Sequence, residues 1–417
     1  MRDSAGRIAF TYPDFTRFQV ARFCTVIASE MQSVAVGWQV YEITRRPLDL
    51  GYVGLAQFLP GILLFLVSGH AADRFERRRT VAVCYGGYAI CSALLLTLAL
   101  QHVHSVRPIY AVLLLVGVCR SFSGPAAQSL LPQLLPEEHF PNALTWSASI
   151  FQTATILGPS LGGLIYAFTR GPSVVFASSM LASLLALLTV LRIGSRGAKR
   201  MREPLTLATV LAGFRYIWQK RLILALISLD LFAVLLGGAV ALLPVYAREI
   251  LHTGPWGLGV LRSAPGAGAA LTAILLAYRP LRRRAGKSML WCVAGFGLST
   301  MLFGISRSLT LSLISLMLVG ATDMVSIVVR GTLVQLATPD EMRGRVSSIN
   351  SLFIGASNEV GQFESGLTAH WFGAVPAVVI GGAGTLVVVA LWAWWFPELR
   401  RADRLAGTVD GPAALET

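Results

Sequence analysis

From Gly51 to Ser68 the chain carries no charged residue, and from Val81 to Leu100 it again carries none. Only Gly69-His70-Ala71-Ala72-Asp73-Arg74-Phe75-Glu76-Arg77-Arg78-Arg79-Thr80 separates the two runs. Each run is long enough to cross a hydrocarbon layer about 30 Å thick, which takes about 20 apolar residues as a helix. It must be a helix, because lipid offers no partner to a bare backbone N–H or C=O. The same alternation of apolar run and short polar turn continues along the chain. It predicts about twelve spans, at residues 18–43, 50–72, 80–100, 108–130, 141–168, 173–192, 221–247, 256–278, 287–306, 309–334, 343–369 and 374–396. The expected fold class is an all-α membrane protein. Composition agrees: 13% of the 417 residues are charged, against about 25% in a soluble chain. Met1 to Arg17 is polar, and the first apolar run is too long for a cleavable signal peptide. Span 1 is therefore expected to remain in the protein.

The net charge of +14 would suit nucleic acid if it were gathered on one soluble surface. It is sorted by loop instead. Arg45, Arg46, Arg107, Arg170, Arg248 and Arg307 occupy one set of alternate loops, and Arg22, Arg120, Arg262 and Arg330 lie inside spans. Every other Lys and Arg falls in the termini, the remaining loops or the span ends that adjoin those loops. Cytoplasmic loops are the ones enriched in Lys and Arg, so both termini are expected in the cytoplasm. The bilayer is then the partner and no nucleic acid is expected. The longest cytoplasmic connection repeats Leu207, Val210, Leu211, Phe214, Ile217 and Trp218 at helical spacing among basic residues. It reads as an amphipathic helix lying on anionic headgroups. The expected domains are a six-helix bundle at 1–193, a linker at 194–220, a second six-helix bundle at 221–397 and a cytoplasmic tail at 398–417.

The two halves repeat each other. At an offset of 203 residues, Gly117 falls on Gly320, Gly158 on Gly361 and Gly163 on Gly366. Pro136-Glu137-Glu138 falls on Pro339-Asp340-Glu341. The arginine run Arg77-Arg78-Arg79 matches Arg282-Arg283-Arg284 at an offset of 205, where Asp73 meets Tyr278. A duplicated six-span unit is one plan for a transporter, with the substrate site between the halves.

Charged side chains inside a span are costly and mark a cavity or a partner. They collect in span 1 (Arg22, Glu30), span 4 (Arg120), span 7 (Asp230), span 8 (Arg262), span 10 (Asp323, Arg330) and span 11 (Glu359, Glu364). Spans 1, 4, 7 and 10 are therefore expected to line a polar path, with span 11 beside them. Gln32, Gln39, Arg120, Arg330, Asn358 and Gln362 are the candidates for binding substrate. Arg120 and Asp323 are equivalent in the repeat, so they are expected at one depth on opposite walls. Glu30 and Asp323 are the leading candidates for carrying a proton, with Asp230 and Glu359 in reserve. For Asp323 a permanent ion pair remains the alternative. In span 5, Pro159 removes a backbone donor, and Gly158, Gly162 and Gly163 admit a neighbouring helix closely. That neighbour is expected to be span 8, at Pro265-Gly266-Ala267-Gly268.

The six histidines are scattered, the five cysteines sit in apolar runs, and neither set has metal-ligand spacing. No metal, cofactor, catalytic triad or phosphate loop is in view, so an enzyme is not expected, and active transport would have to draw on an ion gradient.

Gly69, Asp73, Arg74, Arg77 and Arg78 resemble the loop 2–3 motif of the major facilitator superfamily, with Glu76 standing where that motif usually has Gly. Gly158-Pro159-x-x-Gly162-Gly163 resembles the antiporter motif of its exporters, with Ala154 in place of an upstream Gly. Met31–Glu42, Leu130–Pro136 with Pro141-Asn142-Ala143, and Pro339–Val346 look like the bacterial enterobactin-exporter-like branch of siderophore and drug efflux proteins. The resemblance implies twelve helices in two pseudo-symmetric bundles in the bacterial inner membrane, with helices 1, 4, 7 and 10 around the cavity. It implies a monomer that exports a small, partly apolar molecule against protons. An importer or uniporter on the same fold is the alternative. It also implies that Asp73 meets the amino end of span 11, near Val346 to Asn350, as a cytoplasmic gate. The acid that would pair with Arg77 at the end of span 4 is missing before Glu137.

Overall fold

The computed structural model describes residues 8–194, 207–279 and 284–402, except for the side chains of residues 66, 70, 72, 73, 207–210 and 340. Among these residues there is no strand. The spans begin at Pro13–Thr44, Pro47–Leu63, Arg77–Leu100, Arg107–Leu130, Phe140–Thr169 and Ser173–Leu191. After a linker helix, Leu207–Gln219, they resume at Arg221–Leu236, Gly254–Tyr278, Ala285–Ile305, Leu309–Leu336, Asp340–Phe372 and Ala374–Trp395. Several start on a proline in their first turn, where the missing N–H would have had no partner. Nine helices among the described residues are long and apolar enough to cross a membrane. Spans 1, 2 and 11 fall short. Spans 1 and 11 hold most of the polar side chains singled out above, and span 2 is broken.

Span 2 stops at Leu63 and resumes as Phe65–Arg74. Pro60 sits inside its first piece, where its ring cannot donate and crowds the preceding turn. Span 7 is not the continuous helix expected. It halts at Leu236, passes Gly237 and Gly238, and continues as a 3-10 turn Ala239–Leu242, one α-turn Leu243–Val245 and a π-helix Tyr246–Ile250. Two adjacent glycines weaken a helix by about 1 kcal/mol each. A Cβ on Gly237 would collide with Phe296 Cε1 of span 9, and one on Gly238 would lie 3.3 Å from the Gly361 backbone of span 11.

The first and last described residues, Ile8 and Ala402, lie on one face of the bundle, called here the terminal face, where odd spans start and even ones end. Buried apolar residues form three groups. On the far face one core unites both halves: Trp38, Val112 and Tyr166 pack with Leu242, Tyr246, Leu261 and Val378. Toward the termini there are two cores. Phe15, Phe18, Tyr85, Leu130 and Val190 belong to the first half. Ile223, Leu229, Met289, Val329 and Leu333 belong to the second. A core shared at one end and split at the other leaves a cleft between the halves that opens toward the termini.

Two seams hold the halves together. Span 5 lies along span 8, and span 2 along span 11. A Cβ on Gly163 would come 2.9 Å from Gly259 Cα, and one on Gly366 would come 3.0 Å from Gly51 Cα. Gly163 and Gly366 are the pair matched by the sequence repeat, so the duplication reappears as two equivalent glycine seams. Gly162, by contrast, faces the backbone of Met31 in span 1, inside its own half. On span 8 the expected stretch meets span 5 at Gly266, whose carbonyl accepts from Gln152 at 2.9 Å, and the closest backbone contact is at Gly259, while Gly268 abuts Met317 of span 10.

Candidate functional site

At the inner end of the cleft, charged groups meet across the halves. Arg120 of span 4 donates to Glu359 of span 11 at 2.9 Å, and Gln362, one turn on, donates to the other carboxylate oxygen at 3.0 Å. Glu359 is nearly enclosed, while the Arg120 side chain is 61% exposed. Asn358 is exposed and spends its amide on the Ile354 carbonyl, 2.8 Å away. On the other flank, Glu30 of span 1 and Arg262 of span 8 approach to 3.9 Å. Gly158 of span 5 lies directly against the Glu30 side chain. Each half thus offers one acid and one arginine to the other.

A second charged group lies inside the second half. Arg330 of span 10 donates to Asp230 of span 7 at 2.5 Å, and both are buried. Asp323, two turns before Arg330 and partly buried, feels the charge of both. Asp230 and Asp323 line a cavity of about 10 Å³ with Ala233, Val234, Val293, Phe296, Thr322 and Ser326, which is room for about one water. The Ser326 hydroxyl is buried there without a hydrogen-bond partner.

These placements differ from several expectations. Arg120 is not paired with Asp323; its partner is Glu359 of span 11. Arg330 is enclosed with Asp230 and is not a cavity wall. Gln32 is turned into the first half, where it accepts from Ser92 of span 3 at 2.7 Å. Gln39 is partly buried, with its Oε1 unpartnered.

In the second piece of span 2, Phe65–Arg74, Gly69 is buried and Arg74 exposed. Arg77 opens span 3, and Arg78 donates to the Ile193 carbonyl. Glu76, at the motif's glycine position, pairs with Arg79 at 2.6 Å and Arg78 at 3.6 Å. The contact expected for the Asp73 side chain lies outside the described residues.

The far face carries a cluster that sequence reasoning missed. Tyr41 donates to Glu249. Glu42 accepts from Arg248 at 3.3 Å and from Tyr166 at 3.2 Å. The Arg248 guanidinium lies 5.3 Å from the centre of the Trp38 ring, a cation–π contact. Arg248 and Glu249 sit on the π-helix that ends span 7. The signal in the sequence was slight: Glu42 at the end of span 1 and the adjacent Arg248-Glu249 at the end of span 7, with nothing local to pair them.

The chain matches the family described as transmembrane secretion effector over residues 9–409. It is 26% identical over 404 residues to the enterobactin exporter of Citrobacter koseri, covering 96% of each chain. It is 26% identical over 394 residues to that of Escherichia coli O81, covering 94% of each. In fold it is similar to the nucleoside transporter NupG, with a TM-score of 0.71, 15% identity, and 92% and 99% of the two chains covered. It is also similar to a bacterial homologue of the iron transporter ferroportin in its inward-facing state, with a TM-score of 0.70, 15% identity, and 92% and 98% covered. With a family match across nearly its whole length and a twelve-helix fold in two halves, this multi-pass membrane protein belongs to the transmembrane secretion effectors of the major facilitator superfamily.

Proposed function

We propose that the protein exports a small, partly apolar molecule from the bacterial cytoplasm by proton antiport, alternating which end of the cleft is open. The observation that carries this reading is the cleft itself: it is open toward the termini and closed on the far face by one core common to both halves. The distribution of Lys and Arg favours termini in the cytoplasm, and on that orientation the open end is where an exporter loads. The two relatives compared above are enterobactin exporters, and Gly158, Pro159, Gly162 and Gly163 keep the exporter motif. They favour a siderophore, a macrolide or another drug-like compound as cargo. Glu30, Asp230, Asp323 and Glu359 are the carboxylates available to a proton, and Arg120, Asn358 and Gln362 the polar groups at the inner end of the cleft. Cleft and seams are complete within one chain, which supports a monomer in the inner membrane.

The direction is tested with enterobactin, erythromycin and tetraphenylphosphonium in everted and right-side-out vesicles. An exporter accumulates its substrate only in everted vesicles whose lumen is acid. Accumulation confined to right-side-out vesicles would establish the importer instead.

A further inference from the structure

Of the acids singled out within the spans of this half-open bundle, Glu364 accepts from Thr368 of its own span at 2.7 Å, and the partners of the other four sort them into two kinds. Glu359 and Glu30 each meet an arginine of the opposite half, Arg120 and Arg262. Such pairs are made and broken as the halves rock. Asp230 and Asp323 stand with Arg330 within one half, on spans 7 and 10, and can stay together throughout. We propose that Asp230, Asp323, Arg330 and Ser326 form a one-proton site enclosed in the second half, with Asp323 as the group that takes the proton. This rests on the antiport reading and names the seat of its coupling.

The charge count argues for it first. Two carboxylates and one guanidinium leave the enclosed group one negative charge in excess. An uncompensated charge in a span is costly, and one proton cancels it. The titratable and charged groups facing Asp323 are Asp230 from span 7 and Arg330 from its own span, while span 9 brings only Val293 and Phe296.

The partners decide which acid takes the proton. Asp230 is held directly by Arg330, an arrangement that keeps a carboxylate charged. Among the described residues, Asp323 makes no hydrogen bond or ion pair. Three residues on, on the same helix face, stands Ser326, 2% exposed, with its hydroxyl unpartnered and lining the same cavity. A hydroxyl can donate to a carboxylate and accept from a carboxylic acid, so it serves Asp323 in both states. A cavity of about 10 Å³ admits no more than about one water, and so excludes the cargo.

The step is a proton transfer. In the state open to the far side, an O–H bond forms on Asp323 at the expense of a hydronium ion. In the state described here, that bond breaks and water in the cleft takes the proton. With Asp323 charged, it competes with Asp230 for Arg330 and draws on span 7. The Gly237–Gly238 break lies two turns beyond Asp230, between this group and the far-face cluster.

Infrared difference spectra of the purified protein between high and low pH read the site without any cargo. The wild type should show a carboxylic-acid C=O band that appears as the pH falls. The band should vanish in Asp323→Asn and persist in Glu30→Gln and Glu359→Gln. Ser326→Ala should move its midpoint, and Ser326→Thr should restore it. Loss of the band in Glu30→Gln or Glu359→Gln with its retention in Asp323→Asn would overturn the assignment. So would a band that requires sodium in place of choline. In proteoliposomes with enterobactin, Asp323→Asn should lose gradient-driven accumulation by roughly 5–150-fold, the span of ordinary coupling energies, while equal-concentration exchange persists. If no cargo is transported at all, the antiport reading fails while the spectra still decide the proton site.

Discussion

Arg120 and Glu359 join the two halves at the inner end of the cleft, 2.9 Å apart, on spans that the sequence repeat does not pair. Glu359 is also held by Gln362 of its own span, so the acid is fixed and the arginine comes to it. The pair belongs to the state open toward the termini. Because the Arg120 side chain is largely exposed, it is worth no more than roughly 1 kcal/mol. Glu359→Gln should move the population toward the far-open state by a few-fold. Spin-label distances across the terminal face would report this as a shorter component. An unchanged distribution would remove the pair from the gate.

On the far face, Tyr41 donates to Glu249 while Glu42 receives Arg248 and Tyr166. Tyr41 is buried, and a hydrogen bond to a charged group contributes about 1.5–3 kcal/mol. Tyr41→Phe should therefore raise the far-open population by at least about fivefold, the ratio for 1 kcal/mol. Labelling of a cysteine placed at Val245 should accelerate accordingly. A labelling rate equal to that of the parent would show that Tyr41 does not hold the closure.

Gly163 and Gly259 bring spans 5 and 8 into backbone contact. Gly163→Val places its Cβ 2.5 Å from the Pro255 carbonyl oxygen and 2.9 Å from Gly259 Cα, and span 8 offers backbone there, not a yielding side chain. Membrane insertion should persist and transport should be lost. A cross-link between cysteines at Ser160 and Ser263, whose hydroxyls lie 2.8 Å apart, should fail to form. A normal cross-link yield with full transport would contradict the seam.

Arg330 balances two acids. Arg330→Met leaves Asp230 buried without its partner, which costs about 3–5 kcal/mol. Thermal unfolding in detergent should fall sharply for that variant and recover in part with Asp230→Asn added. Equal melting of single and double variants would contradict the pairing.

The spans and their duplication were legible because lipid imposes a length and a polarity that any sequence must meet. Gly163 against Gly366, matched by offset alone, became two equivalent contacts. The partners of the charged residues were not legible, because register along a helix does not say which neighbour it faces. Arg120 was matched to Asp323 by symmetry, yet its partner is Glu359 of span 11. Gln32 was read as a cavity residue from its helix, while its direction within that helix turns it to Ser92. The break in span 7 was written as Gly237-Gly238, but adjacent glycines in a span also serve close packing, and only the approach of Gly361 distinguishes the two uses. The far-face cluster draws on spans 1, 5 and 7 at once, and no local pattern announces such a meeting.

The central claim is that cargo and protons cross in opposite directions on one carrier. Its most direct test uses proteoliposomes with equal pH on both sides, a pH-sensitive dye in the lumen, and an outward gradient of enterobactin or whichever of the three test compounds binds. The account predicts that cargo leaving the lumen draws protons in, so the lumen acidifies, and that Asp323→Asn abolishes the acidification while cargo still moves. Cargo leaving without acidification of the wild-type lumen, or with alkalinisation, would contradict it.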